Sequence, residues 1–410
     1  MLKKILFYLF VIFIFLVIYF ISNPISKTIT IDNENDLIEL FKTSQNNIIV
    51  ELASGDYELT PTHFIDSTCA NCEEPKTTNP ATYGLKISGE NIKIIGPKDR
   101  SAVIHTNSGY GLYIVDCQDF YLENITITDG IRDSAGMAGD AAIVVKNSSA
   151  KIHNNLITNN LGDSLMIVKN ISGIMGICGR ENSYLEITDN DIIRNSWDGI
   201  ALFRNTEAIV TGNYIDGMDK AGGRTPKGGR GVAVGVTWNA KAKISNNYIA
   251  RYWKGIGLFV DAIGIVDNNI IEDMNTWGIS LWDASRGKPQ GFISHNIVYD
   301  TGAMGAAITS STEENPGFFK DNIIVQTAQS KAYDSPDYYG YQCPFALHLV
   351  PDDFVIENNL FFNNRRATED LDDFDVDEEI FNVKLQEKME WMKRMKFIGK
   401  SEFGKKFFNH

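Results

Sequence analysis

An asparagine-anchored motif, Ile-x-x-Asn-x-Ile with conservative replacements, recurs eight times between Ile152 and Phe361. Its shared residues are Asn155, Asn190, Asn213, Asn247, Asn269, Asn296, Asn322 and Asn359. The shortest step, from Asn247 to Asn269, is 22 residues. That is too short for two packed helices with their turns, and it fits three short strands and three turns. Most repeats also carry a glycine followed by alternating apolar residues, as in Gly199-Ile200-Ala201-Leu202 and Gly255-Ile256-Gly257-Leu258. Period-two alternation means strand, with Ile200 and Leu202 facing inward and Ala201 outward. Successive circuits then stack at about 4.8 Å, the spacing of neighbouring strands. The expected fold is an all-β solenoid of about ten circuits over residues 47–366.

Each motif asparagine is expected at a sharp bend between strands, because Asn tolerates the left-handed backbone region. Stacked in register, its amide donates to one neighbouring circuit and accepts from the other, forming a ladder. With the opening Ile48-Ile49-Val50-Glu51-Leu52-Ala53-Ser54-Gly55-Asp56-Tyr57, this repeat resembles the right-handed parallel β-helix proteins of the pectin-lyase-like superfamily. The resemblance implies the fold. It leaves activity open, since that superfamily includes lyases, hydrolases, epimerases, esterases, adhesive fibres and assembly factors.

The ends read differently. Ile5 to Ser22 is an uncharged apolar run behind Lys3 and Lys4, long enough for a transmembrane signal-anchor and without a small-x-small cleavage pattern. The positive flank predicts a cytoplasmic N-terminus with the solenoid outside the cytoplasm, periplasmic or at the cell surface. Residues 23–46 are linker and capping helix, in which Leu37, Ile38, Leu40 and Phe41 cover the open first circuit. Residues 367–410 are an acidic segment and a helix around Trp391 and Met392, expected as a second cap with a solvated tail.

A net charge of -14 excludes extended phosphate contacts, and with them nucleic acid as partner. Outside the cytoplasm, Cys69 and Cys72 are placed for a local disulfide. No paired His or Cys spacing points to a metal, and no cofactor is implied. Oligomeric state cannot be read from the sequence.

Register places a candidate site on the outward face. Two residues after the repeat glycines the outward column reads Cys178, Ala201, Ala233, Gly257, Ser280 and Ala307, a flat floor. Two further along it reads Arg180, Phe203, Gly235, Phe259, Trp282 and Thr309. Just before the glycines it reads Met175, Asp198, Arg230, Lys254, Trp277 and Met304. Small residues flanked by aromatic and charged ones describe a trough suited to the apolar faces of sugars, so a polysaccharide is the expected partner. The competing expectation is that a loop lies across the floor and buries the aromatics.

In the enzyme reading the trough belongs to a polysaccharide lyase or epimerase. Arg230 and Lys254, on adjacent circuits, are the candidate catalytic pair: a neighbouring guanidinium lowers the lysine pKa, and a lysine base can remove the proton beside a uronate carboxylate. Asp198, Arg180, Phe203, Trp238, Phe259, Asp261, Trp277, Trp282 and Asp283 are the candidate substrate-binding residues. Asp198 and Asp283 lie too far apart for a hydrolase pair. Glu181 and Arg204 share a column and are expected to pair at the surface. The segment Arg224-Thr225-Pro226-Lys227-Gly228-Gly229-Arg230 is similar to the Arg-x-Pro-x-x-Arg segment of pectate lyases. It carries one residue too many before the final arginine, so that family's roles do not transfer to Arg224 and Arg230. The alternative to an enzyme is a non-catalytic surface scaffold or assembly factor.

Overall fold

A computed structural model describes residues 26–133, 139–162, 172–217, 231–309, 312–334 and 342–408. Every circuit-to-circuit pairing is parallel, and the stacked strands make three walls around one core. The second wall pairs Ile152 with Ile187, Ile187 with Val210, Val210 with Ile244 and Ile244 with Val266. Among the described residues the third wall contains eleven strands. The first wall carries the expected trough. Inward residues of all three walls, among them Ile177, Ile187 and Ile192, merge into one buried apolar cluster running the length of the coil. Each fully buried aliphatic side chain adds about 1.5–3 kcal/mol to the drive for stacking.

The asparagine ladder forms. Asn190 donates its backbone N–H and its side-chain amide to Asn213 Oδ1, at 3.0 and 3.1 Å, and donates backward to Ile152 O at 2.8 Å. The same links join Asn213 to Asn247 and Asn247 to Asn269. The ladder residues are not themselves left-handed, contrary to expectation. The residue before each is: Asn154, Asp189, Gly212, Asn246, Asn268, His295, Asp321 and Asn358 all have positive φ. The bend precedes the ladder position, which frees the ladder side chain to point along the stack.

Helix α1 (Glu34–Phe41), N-capped by Asn33, buries Leu37 and Phe41 over the first circuit. The other end corrects the expectation. Phe374, within the acidic segment, packs against Phe345 and Phe361 and closes the core. Helix α2 (Glu378–Met392) starts inside the acidic run, with Asp377 as its N-cap. Helices α2 and α3 (Glu402–Phe407) lie along the flank of the third wall, where Phe381, Leu385, Met392 and Phe403 cover Tyr248, Ile270, Ile297 and Ile323.

Among the described residues no helix is long and apolar enough to cross a membrane. The apolar run 5–22 lies outside the described residues.

Candidate functional site

The floor of the trough is built as expected except at one circuit. Cys178 pairs with Ala201, Ala201 with Gly235, Gly235 with Gly257, Gly257 with Ser280 and Ser280 with Ala307. Gly235, not Ala233, therefore holds the floor position, and Ala233 is buried in the core. Val232 stands beside Lys254 where Arg230 was expected, and Thr237 stands beside Phe203 where Gly235 was expected. The reason is the count to the ladder. Fourteen residues precede Asn213 back to Gly199, and fourteen precede Asn247 back to Ala233. At this circuit the register follows that count and not the glycine, whereas Gly278 and Gly305, 18 and 17 residues before Asn296 and Asn322, hold their expected places. Arg230 and Arg224 lie outside the described residues.

A hairpin missed in the sequence divides the trough. Strand Thr62–Thr68 pairs antiparallel with the first part of the long strand Lys76–Ile95, and the pair folds over the first circuits. Phe64 packs on Tyr83, Tyr110 and Tyr113, with centroids 5.3–5.6 Å apart. Beneath the hairpin, Arg180 is fully buried. It donates to Asp66 at 2.9 Å, to Thr68 O at 3.0 Å and to Tyr110 Oη at 3.1 Å. Arg180 is thus a structural cation and not a trough residue. Phe203 is buried in the same cluster. Trp238 donates Nε1–H to Asn71 at the hairpin tip, at 3.0 Å. The Cys69–Cys72 disulfide is formed at that tip. Glu181 pairs with Arg180, while Arg204 donates to the carbonyls of Cys69 and Cys72, so the expected Glu181–Arg204 pair does not form.

Four of the predicted residues, Lys254, Phe259, Trp277 and Trp282, converge. Lys254 Nζ lies 4.2 Å from the ring centre of Trp277, 5.3 Å from Phe259 and 5.4 Å from Trp282. Phe259 and Trp282 meet edge to face at 6.3 Å. The Phe259 ring folds back over Gly257, where an added Cβ would lie 2.1 Å from it. A small residue here makes room for an aromatic wall. Asp198 accepts from Val232 N–H at 2.6 Å, and its charge acts on Lys254.

Both charges are buried, with Asp198 9% and Lys254 7% exposed. Burial, the larger influence, pushes Lys254 down to about 8, and the Asp198 carboxylate opposes it. Burial likewise raises Asp198 to about 7 against the Val232 N–H and Lys254. Among the described residues, desolvation sets the direction of the lysine's shift.

Beyond Trp277 the trough opens into a cavity of about 520 Å³, lined by Met304, Ala307, Thr309, Leu347, His348, Leu371 and Asp372 among others. Nothing in the sequence marked Leu371 or Asp372, because a tail has no register to read. Ser280 Oγ, buried on the floor, makes no hydrogen bond. Asp283 accepts from Ser285 N–H two residues on and is a turn cap, while Asp261 accepts from Lys288 N–H, 27 residues on, and ties two turns of the coil together.

A second group also escaped the sequence reading. Asp133 binds Thr82 of the hairpin, and burial, followed by the Asp133 charge, raises Asp140 to about 7. Among the described residues no cluster of three or more His, Cys, Asp or Glu could hold a metal ion.

The right handed beta helix region family matches residues 47–234 and 176–343. No curated sequence matches the chain. An exopolygalacturonase from Thermotoga maritima is 12% identical, with 83% of this chain and 84% of that one covered at a TM-score of 0.44. A surface adhesin of Streptococcus pneumoniae is 10% identical, covering 83% and 80% at 0.41. An alginate lyase from Paenibacillus is 12% identical, covering 79% and 99% at 0.37. None of their activities transfers at that likeness. With its three-walled parallel coil and a family match extending from residue 47 to residue 343, the chain belongs to the right handed beta helix region family.

Proposed function

We propose that the protein is a membrane-anchored, extracytoplasmic β-helix that binds an acidic polysaccharide in its trough and modifies it by proton abstraction, as a lyase or epimerase does. The observation that carries this reading is the buried Lys254–Asp198 pair, set among Trp277, Phe259 and Trp282 beside a cavity of small-ligand size. A lysine near 8 is partly neutral at ordinary pH and can take the proton beside a uronate carboxylate. Asp198, whose charge acts on the lysine, is proposed to hold it in place for that step. The aromatic walls supply faces for sugar rings. Arg230, two residues before Val232 in the chain, is proposed as the cation that stabilises the enolate-like charge. The disulfide at Cys69–Cys72 supports an oxidising compartment.

The test is turnover of a panel of acidic glycans, followed by the absorbance of unsaturated uronate and by exchange of solvent hydrogen into the sugar. Activity should rise with pH through about 8 and be lost in Lys254→Ala. Binding without turnover would favour the second reading, a non-catalytic scaffold, which the low exposure of Lys254 supports.

A further inference from the structure

The hairpin tip does more than cover a few side chains. Its four-residue turn is closed by the Cys69–Cys72 bridge and tied to several circuits. Thr68 O accepts from Arg180 at 3.0 Å, Cys69 O from Arg204 at 2.9 Å and Asn71 Oδ1 from Trp238 at 3.0 Å. Glu73 pairs with Arg286 at 3.2 Å. Under the hairpin, Tyr113, Val144, Cys178 and Ala201 join Ala70 and Ala81 in one buried cluster. That stretch of floor has no space above it for a sugar. At the far end, Leu371 and Asp372 line the cavity beyond Trp277.

Between these limits, the register from Lys254 through Trp277 and Met304 to the strand of Phe345 spans three steps, about 14 Å. A cavity of about 520 Å³ sits within the range of small-ligand pockets, about 300–1,000 Å³. An extended polymer needs a groove open at both ends.

Resting on the glycan reading above, we propose that the disulfide-closed hairpin tip is an end wall, so that the trough accepts the terminus of a glycan or a short oligosaccharide and excludes chain interiors. The wall sets specificity through excluded space. It takes no part in the chemistry.

The experiment titrates the intact protein with polygalacturonate, alginate and hyaluronate, each as full polymer and as size-graded oligomers. Bound protein should scale with the number of chain ends and not with sugar mass, and affinity should stop rising at short oligomers. The quadruple variant Cys69→Ser/Cys72→Ser/Arg204→Ala/Arg286→Ala removes the bridge and the Arg204 and Arg286 ties of the tip and should gain about tenfold or more for polymer, with oligomer binding little changed. Binding capacity that follows sugar mass at every chain length overturns the wall while leaving the glycan reading intact. Binding to no glycan of any length overturns the glycan reading, and the wall falls with it. If the variant fails to fold, the wild-type stoichiometry alone decides.

Discussion

Asp66 on the hairpin and Arg180 on the first wall are 114 residues apart in the chain, yet their side chains meet at 2.9 Å with each only 1% exposed. Lys146 adds a second contact to Asp66 at 2.8 Å, and Tyr110 Oη donates to it at 2.7 Å. Burial, the largest influence on Asp66, would raise its pKa. Arg180 and Lys146 outweigh that and hold it below the ordinary carboxylate value. A depressed carboxylate contributes stability above its unfolded pKa, near 3.8, and loses it as pH falls through the folded value. The hairpin should therefore stay docked at neutral pH and release only in acid below about pH 4. Asp66→Asn removes one of the two carboxylates that pair with buried Arg180, leaving Glu181, and also the pair to Lys146, and should destabilise the hairpin by about 1–3 kcal/mol. Hydrogen exchange of residues 62–82, followed against pH in both proteins, checks this. Unchanged protection in the variant would refute it.

The ladder makes a graded prediction. Asn213→Ala removes the acceptor used by the Asn190 N–H and the donor used by Ile187 O, all in fully buried surroundings. Each buried group left without a partner costs about 1–3 kcal/mol. Asn359→Ala removes the same bonds at the last rung, where the residue is half-buried and water can reach the orphaned groups. Chemical denaturation should show the larger loss for Asn213→Ala, with equal losses counting against the ladder.

Much of this fold was legible because a repeat turns sequence spacing into spatial adjacency. Asn213 and Asn269 occupy one ladder, and Ala201 and Gly257 share one floor, as counting fourteen residues back from the asparagine predicts. The count failed where a glycine was followed in its place: Gly231 suggested a register that Ala233 in fact holds. Lys254 and Phe259 were recoverable from that count, and Trp277 and Trp282 from Gly278, which keeps its place although 18 residues separate it from Asn296. Arg180, Phe203 and Trp238 were misread as open trough residues, because the hairpin that buries them lies more than a hundred residues earlier and leaves no periodic trace. The flanking position of α2 and α3 was equally hidden. An outward apolar column such as Tyr248, Ile270 and Ile297 does not say what covers it.

Lys254 and Asp198 predict opposed pH effects on stability. The lysine titrates near 8 when folded against 10.5 in the reference state. Between these values the unfolded chain binds more protons, so stability should rise with pH. Asp198 is raised to about 7 from 3.8. Across that interval the folded chain holds more protons, so stability should fall as pH rises. Lys254→Met should abolish the alkaline rise and, by removing the opposing cation, drive Asp198 further up. Denaturant unfolding from pH 4 to pH 10.5 in wild type and variant measures both limbs. A variant that keeps the alkaline rise would assign it to another group.

A buried carboxylate anchors the start of α3 on the coil. Glu272 is 1% exposed, and it accepts from the backbone N–H groups of Glu402 and Phe403 at 3.0–3.2 Å and from Tyr248 Oη at 2.6 Å. It thereby satisfies the first donors of α3, which would otherwise be orphaned at a helix start. Glu272→Ala should loosen α3 by about 2–3 kcal/mol, the scale of charged hydrogen bonds, while leaving the coil wound. Hydrogen exchange should then rise in residues 398–408 and remain unchanged along the ladder. Truncation after residue 377 is a harsher test. It strips Phe381, Leu385, Met392 and Phe403 from an outward face containing Tyr248, Ile270, Ile297 and Ile323. That uncovered apolar strip, at the side of an otherwise closed coil, should bind a hydrophobic dye and drive self-association. If the truncated protein stays monomeric and dye-negative, those helices are an appendage and not a cover.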